Sequence, residues 1–332
     1  MSIIYIRGFE DQNVISSDVE VNGETGVSDI PGGGYCVRVD TNNIGHFYLV
    51  PAADMSADDA PDFTTCYIRM YGKTAASISR SNLYWVIRDT SENDIAAITA
   101  DGHVWIVGVD KGDQGFLLGW TAWTRIEFGV KVNSVSGHVI VRVDGVEVYS
   151  IYTDLSAHPA VGSLGVRNTI ESSSPYMDDV VINDTQGAKN NSWPGAGHIY
   201  GLVPDGVGTN SDLTSHLGGD NYADVDETPN DGDTSYVESN ADGDIDTYTF
   251  ENLGANLIVK GVAVHTISKL ASAGTTEIEA VALYNGNYDK KTVPALTTSY
   301  TRRGAVFEDA PDGAAWTKAK VDAAEFGVEV QV

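Results

Sequence analysis

Thr124-Arg-Ile-Glu-Phe-Gly-Val-Lys-Val132 and the segment that follows it, His138-Val-Ile-Val-Arg-Val143, decide the fold of this chain. Apolar residues occupy alternate positions in both segments. This period of two is typical of β-strands that bury one face and leave the other to water or to a second layer. The pair Asp144-Gly145 comes next and suits the positive φ angles of a tight hairpin turn. The stretch therefore predicts successive antiparallel strands.

The same alternation recurs through the first half of the chain. It is found in residues 35–39, 65–71, 83–88 and 103–107, where β-branched and aromatic residues dominate. Turn pairs such as Asp101-Gly102 lie between these segments. Many short strands at short spacing predict an all-β fold, an antiparallel sandwich followed by a second β-rich domain.

Helical periodicity is almost absent. Only the stretch from Trp316 to Phe326 has room for a short helix, with Ala, Val and Phe on one stripe. Thr317 lies near the start of this stretch and is expected to be the N-cap, since its hydroxyl can accept a backbone N–H of the first turn.

The charge of the chain limits its partners. Among 332 residues, 47 are Asp or Glu and 20 are Lys or Arg, which gives a formal net charge of −27. Nucleic acids and anionic membranes are bound through clustered Lys and Arg, so neither is an expected partner. No run of about 18 apolar residues could span a bilayer, and residues 1–9 lack the pattern of a secretory signal. We expect synthesis in the cytoplasm and no membrane insertion.

Two cysteines, Cys36 and Cys66, have neither a CxxC spacing nor nearby His ligands. In a reducing compartment such thiols most often stay free as small buried groups. A disulfide between them becomes more favoured if the protein works outside the cell.

The composition changes after Asp184. No Lys or Arg occurs between Lys189 and Lys260, and residues 205–251 alone contain thirteen acidic residues. Strand-like segments return after residue 256. We therefore predict two domains, residues 1–187 and 188–332, with long acidic loops in the second.

The first half resembles concanavalin A-like and laminin-G-like jelly rolls. The resemblance rests on residues 123–132, which Trp123 opens, and on residues 137–148 with their Asp144-Gly145 turn. It also rests on Met177-Asp-Asp-Val-Val-Ile182 and on the opening segment Ile6-Arg-Gly-Phe-Glu-Asp11. It covers about residues 1–185. It implies a β-sandwich that can host carbohydrate-binding proteins or, less often, glycosidases.

The second half is similar to segments of structural proteins from tailed bacteriophage virions. Matching pieces are Asp233-Thr-Ser-Tyr236, Trp316-Thr317 and Glu325-Phe-Gly-Val328, in that order. The resemblance implies a non-enzymatic virion component that decorates the capsid or belongs to the tail or its fibres. Its partners would be other virion proteins, and a homo-oligomer such as a trimer would match the symmetry of such a particle.

One acidic stretch is a candidate calcium site. Its oxygen-bearing residues stand at nearly alternate positions, with a carboxylate eleven residues after the first: Asn240, Asp242, Asp244, Asp246 and Glu251. This spacing matches a calcium-loop ligand ladder, except that Ile245 stands where such a loop needs glycine. The alternative is a solvated acidic loop that leads into a strand.

Two further functions stay open. Carbohydrate binding, as in a host-recognition adhesin, needs exposed aromatic rings, which six Trp and 16 Tyr could supply. Trp85 and Trp105 lie inside alternating segments, where a core position is favoured over a binding surface. A glycosidase would need two carboxyls in a cleft. Glu277 and Glu279 share a strand face, but they fit the wet side of an alternating strand better. Seven scattered histidines lack zinc-site spacing. Since neither the carboxylates nor the histidines form a recognisable catalytic pattern, we expect no enzyme.

Overall fold

A computed structural model describes residues 3–7, 19–22, 25–29, 35–39, 45–51, 55–56, 62–74, 80–118, 122–169, 175–255, 257–271 and 277–332. Residues 8–11, part of the opening segment quoted above, lie outside these ranges. The described chain is all-β, as predicted, with short helical turns.

Strands follow one another closely before residue 185. In chain order they are β1 (Ile3–Arg7), β2 (Val19–Asn22), β3 (Thr25–Asp29), β4 (Tyr35–Val39), β5 (Gly45–Leu49), β6 (Met55–Ser56), β7 (Thr65–Thr74), β8 (Leu83–Asp89), β9 (Asp94–Thr99), β10 (His103–Ile106), β11 (Val109–Asp113), β12 (Thr124–Lys131), β13 (His138–Val143), β14 (Val146–Tyr152), β15 (Val161–Asn168) and β16 (Pro175–Asp184).

The strands described after β16 include some within residues 205–251, where the composition predicted long acidic loops. They are β17 (Pro204–Ser211), β18 (Thr214–Ser215), β19 (Val237–Glu238), β20 (Ile245–Phe250), β21 (Val262–Ser268), β22 (Glu277–Tyr284), β23 (Asn287–Thr292), β24 (Thr301–Phe307) and β25 (Glu325–Gln331). Short 3₁₀ turns cover Arg80–Asn82 and Asn221–Asp224, and one α-helical turn, α1, covers Lys318–Val321. None of the helical segments described is long and apolar enough to cross a bilayer.

Two large antiparallel sheets form the first half. Sheet 1 has the order β14-β13-β12-β7-β16-β4-β3, with β1 also paired to β16, and sheet 2 has the order β11-β10-β9-β8-β15-β5-β2. Residues 124–143 form the hairpin of β12 and β13, with Ile126 opposite Val143 and Lys131 opposite His138. Their alternation therefore indicated the correct elements and the correct pairing.

The core of this half lies between the two sheets. Ile68 and Met70 of sheet 1 and Ile87 and Leu164 of sheet 2 are fully buried, and each alternates with a residue on the outer face of its sheet. The Trp85 indole also fills this space and donates to the carbonyl of Tyr176 at 3.1 Å. These inward faces make the first half a β-sandwich.

The second half has its own core. Sheet 3 has the order β17-β20-β25-β22-β23, and sheet 4 has the order β21-β24-β6, in which β6 and β24 run parallel. Phe307 and Trp316 belong to a buried cluster with Ala280 and Ala282, which alternate along β22. β18 and β19 form a separate two-stranded pair.

The chain divides into two compact units at Tyr200 and Gly201. The first unit holds most of residues 1–200, and the second holds Gly201–Val332 together with β6. The change of composition predicts a boundary between residues 187 and 188, next to the end of β16. Residues 192–199 lie after that point but contact sheet 1, which is why they belong to the first unit.

Candidate functional site

The outer face of sheet 2 carries a row of aromatic and small residues. Strand register places them side by side across five strands: Tyr48, Gly165, Val86, Ala97 and Trp105. Tyr48, Val86 and Ala97 are buried and form a hydrophobic cluster of their own. The row is therefore an apolar floor on a face where strand alternation would ordinarily place polar groups.

Two half-buried aromatic rings pack against this floor. Tyr84 and Trp105 meet edge-on, with their ring centroids 6.1 Å apart. The indole nitrogen of Trp105 is buried and has no hydrogen-bond partner in the part of the chain that the structure describes. Such rings offer apolar surface of the kind that stacks on the C–H face of a sugar.

Charged groups lie beside the rings. The Arg167 guanidinium lies 4.9 Å from the ring centroid of Tyr84, and its Nη2 donates to Oδ2 of Asp94 at 2.9 Å. The Arg88 guanidinium lies 4.4 Å from the ring centroid of Tyr48. Arg167 thus lies over the Tyr84 ring and Arg88 over the Tyr48 ring. The hydrogen bond with Asp94 fixes the position of the Arg167 guanidinium.

A histidine and a carboxylate stand at the end of the row. Nδ1 of His103 lies 3.0 Å from Oδ2 of Asp110, and this hydrogen bond is the main reason that the pKa of His103 is raised. The backbone N–H of Gly112 donates to Asp110 at 2.7 Å and is the main cause of the lowered pKa of that carboxyl. Asp110 is therefore an anion at neutral pH and a hydrogen-bond acceptor.

We call this set the Trp105 platform; its members are Tyr84, Asp94, His103, Trp105, Asp110 and Arg167. Aromatic surface combined with a few fixed donors and acceptors is what holds a small polar ligand in an orientation-specific way. The pKa of Tyr84 is raised, first by burial, although Arg167 acts in the opposite direction. Its hydroxyl therefore stays protonated at neutral pH.

Trp85 and Trp105 have different environments, although the alternating pattern favoured a core position for both. Trp85 is fully buried between the sheets, as favoured. Trp105 lies on the outer face of sheet 2 instead, because the register pairs it with Ala97, which lies on that face beside Val86. Sequence analysis also missed Tyr84 and Arg167. The signal that could have found them is the regular spacing of Tyr84, Val86 and Arg88 between core residues of one strand.

The predicted calcium ligands have separate hydrogen-bond partners. Asp246 is fully buried: its Oδ1 accepts the backbone N–H of Leu213, and its Oδ2 accepts from Asn221 and Tyr248. The hydroxyl of Tyr248 therefore donates to a carboxylate, and its pKa is raised, first by burial.

The other predicted ligands are more exposed. Asp242 accepts the backbone N–H of Val332 at 3.1 Å, and Asp244 accepts from the Ser239 hydroxyl. Asn240 and Glu251 are exposed. Over the described ranges, no group of three or more His, Cys, Asp or Glu is placed to hold a metal ion. The calcium site stays a prediction.

The carboxylate pair considered for glycoside hydrolysis lies on the surface of sheet 3. Glu277 is exposed, and Glu279 accepts from Gln331 at 3.2 Å and from Thr292 at 3.4 Å. The alternating residues Ile278 and Ala280 face the core of the second half. The pair thus occupies the wet side of the strand that its alternation predicted.

Both cysteines are buried, as expected for structural thiols. The pKa of Cys66 is raised strongly by burial, with nearby Asp62 and Asp184 as smaller causes. The thiol is therefore not a reactive thiolate at neutral pH.

Comparison with known proteins gives no family. No family model matches the chain, and no curated protein matches it. Among solved structures, an alginate lyase from a Chlorella virus is 14% identical with a TM-score of 0.38 over 50% of this chain and 92% of its own. Arcelin-5, a lectin-like defence protein from Phaseolus vulgaris, is 8% identical with a TM-score of 0.36 over 54% of this chain and 97% of its own. Domain 4 of an arabinanase from Geobacillus stearothermophilus, in complex with arabinotriose, is 14% identical with a TM-score of 0.39 over 55% of this chain and 92% of its own. Similarities this low leave the function to be argued from the residues of this chain.

Proposed function

We propose that the protein is a non-enzymatic carbohydrate-binding protein, with the Trp105 platform as its binding surface. The observation that carries the proposal is the ring pair of Tyr84 and Trp105 on the outer face of a sheet, with Arg167 and Asp94 fixed beside it. The Trp105 ring supplies the stacking surface, and Tyr84 packs against its edge. The guanidinium and carboxylates supply directional hydrogen bonds to hydroxyl groups.

The charges of the platform favour binding over hydrolysis. A glycosidase needs one carboxyl group that stays protonated near neutral pH and can act as a general acid. Asp110 is not suited to be that acid, since its pKa is lowered, and Asp94, the other carboxyl of the platform, is engaged by the Arg167 guanidinium at 2.9 Å. We therefore propose that bound saccharide is held and not cleaved.

A saccharide array tests the proposal. Wild-type protein should bind a subset of immobilised neutral and acidic oligosaccharides saturably, and Trp105→Ala should weaken that binding at least about tenfold through loss of ring stacking. Tyr152→Ala is the matched control, because Tyr152 is 74% exposed on β14 of the other sheet. Equal binding by wild type and Trp105→Ala would reject the platform. Release of reducing sugar from a bound polysaccharide would reject the non-enzymatic role.

We also propose that the protein acts in a tailed-phage virion, as a decoration, tail or fibre component. The support is the resemblance of its second half to virion structural proteins, in the segments ending at Tyr236, Thr317 and Val328. Mass spectrometry and imaging of purified particles should find the chain in the virion. Its recovery only from soluble lysate would reject this location.

A further inference from the structure

Residues 192–199, which we call the strap, lie on the outer face of sheet 1. No backbone hydrogen bond joins the strap to the described strands. It is held instead by side chains of the sheet that contact its backbone and its aromatic rings. This is the way in which proteins bind peptides that do not extend a sheet.

Trp193 occupies a slot shaped for an indole. Its ring lies 3.8 Å from the Arg142 guanidinium, and its centroid lies 5.0 Å from that of Tyr67. The floor of the slot is Gly129, where a Cβ would stand 2.9 Å from the ring. A cation–π contact in a partly desolvated site contributes about 0.5–2 kcal/mol.

The backbone of the strap is recognised at both polar groups of Gly195. Its N–H donates to Oε1 of Glu127 at 3.1 Å, and its carbonyl accepts from Nη1 of Arg69 at 3.3 Å. Gly195 has a φ of +69°, which favours glycine. Glu127 and Arg69 are 1% and 5% exposed although they stand on an outer face. Buried charges need partners, and the strap completes them.

Both ends of the strap are also fixed by side chains. The amide of Asn183 donates to the carbonyl of Ser192 at 2.8 Å. Asp179 accepts the backbone N–H of Ile199 at 2.7 Å, and its other oxygen lies 2.8 Å from Nδ1 of His198. The face therefore selects a peptide segment of defined length that has an indole near one end and an imidazole near the other.

We propose that this face of sheet 1 is a peptide-binding groove, and that its ligand can be supplied by the strap of a second copy of the chain. Residues 185–191 connect β16 to the strap without strand pairing. Eight residue steps from Asp184 to Ser192 can span about 27 Å when extended. The strap leads through Tyr200 into Gly201, so an exchanged strap carries the second unit of its own chain with it. Exchange of identical segments creates an association that uses only contacts already present in one copy.

Two complementary variants test strap exchange. Trp193→Ala combined with Gly195→Pro empties the groove, because it removes the indole and the backbone N–H that donates to Glu127. Gly129→Val fills the indole slot and leaves the strap intact but undocked; Val suits a strand, and the nearest atoms to its Cβ belong to Trp193 and Tyr67. Arg142→Ala is a second groove variant that deletes only the cation–π contact.

Each variant alone should fail to exchange straps with itself, and an equimolar mixture of the two should form a hetero-complex in sedimentation velocity. A labelled peptide of residues 189–200 should bind the emptied groove saturably and bind at least about tenfold more weakly when Arg142→Ala is added. Near-ultraviolet circular dichroism confirms that each variant is folded. Folded variants with no peptide binding would overturn the groove. Peptide binding without a hetero-complex would overturn exchange between copies.

Discussion

Single residues show how closely the two sheets of the first half pack. Gly72 lies on β7 of sheet 1, directly over the Trp85 ring of sheet 2. A Cβ at this position would stand 2.5 Å from Cδ1 of Ile126 and 2.7 Å from Nε1 of Trp85. Both neighbours are fully buried and have no space to yield. Glycine is therefore required here by the approach of the sheets and not by its φ angle.

We expect Gly72→Ala to lower the free energy of unfolding by about 1–3 kcal/mol, because overpacking shifts core side chains off their preferred rotamers. Urea denaturation measures the change. Gly219→Ala is the control, since nothing lies within 4 Å of a Cβ there and its φ is not positive. A Gly72→Ala protein as stable as wild type would show that the sheets lie further apart.

His103 provides a pH-dependent prediction on the platform. Its pKa is raised mainly by the hydrogen bond with Asp110. The folded state thus binds the proton more tightly than the unfolded chain does. The stabilisation from the pair is complete below the ordinary histidine pKa and is lost as pH rises through the raised value.

NMR titration should therefore give His103 a pKa above 6.5 in wild type and a lower one in Asp110→Asn. His138 is the internal control, because its pKa is lowered, mainly by burial, and it should not respond. An unchanged His103 titration in the variant would contradict the pairing.

Among the elements, α1 is the one helix that sequence analysis anticipated. It covers Lys318–Val321, shorter than the available stretch, because β25 already begins at Glu325. Thr317 is extended and its Oγ1 accepts the N–H of Lys320 at 3.3 Å, as an N-cap does. The N-cap prediction is confirmed.

Thr317→Ala should lower the free energy of unfolding by about 1 kcal/mol, because the first turn then loses its hydroxyl acceptor. Thermal denaturation measures the effect. Thr317→Ser keeps the hydroxyl and should stay near wild type. Equal loss in both variants would assign the effect to the methyl group of threonine and not to capping.

Variants in residues 240–251 distinguish a structural role of these carboxylates from a role in binding calcium. We expect Asp246→Asn to lower the melting temperature equally in calcium and in chelator. A buried amide has one acceptor oxygen, so it cannot accept from Leu213 on one side and from Asn221 and Tyr248 on the other. A calcium site makes a further prediction: the wild-type protein should have a higher melting temperature in calcium than in chelator. Asp242→Asn combined with Asp244→Asn should abolish this difference. Identical wild-type melting in both buffers would remove the calcium site.

At the scale of the whole molecule, the net charge of −27 produces self-repulsion. We expect the melting temperature to rise by a few degrees between about 0.02 M and about 0.5 M sodium chloride, because salt shortens the range of repulsion between exposed carboxylates. Sucrose at matched osmolality is the control for exclusion effects. A melting temperature that falls with salt would show that attractive ion pairs outweigh the repulsion.

Much of the fold could be predicted from the sequence because a strand repeats every two residues. The alternation in residues 124–143 identified β12 and β13, and Asp144-Gly145 identified the turn between β13 and β14. The Trp105 platform could not be predicted, since it joins residues of β8, β9, β10, β11 and β15. A period of two says which residues share a face of one strand, but not which strands lie side by side.

The sequence by itself determined that this protein is a set of antiparallel sheets with a short capped helix and a strongly acidic second half, because these properties depend on local periodicity and on composition. Only the tertiary structure decided that Trp85 is buried while Trp105 faces outward, and that Trp193 lies on Gly129. The reason is that the environment of each ring depends on strand order and on the path of the chain after β16. Both arise from contacts between residues far apart in the sequence.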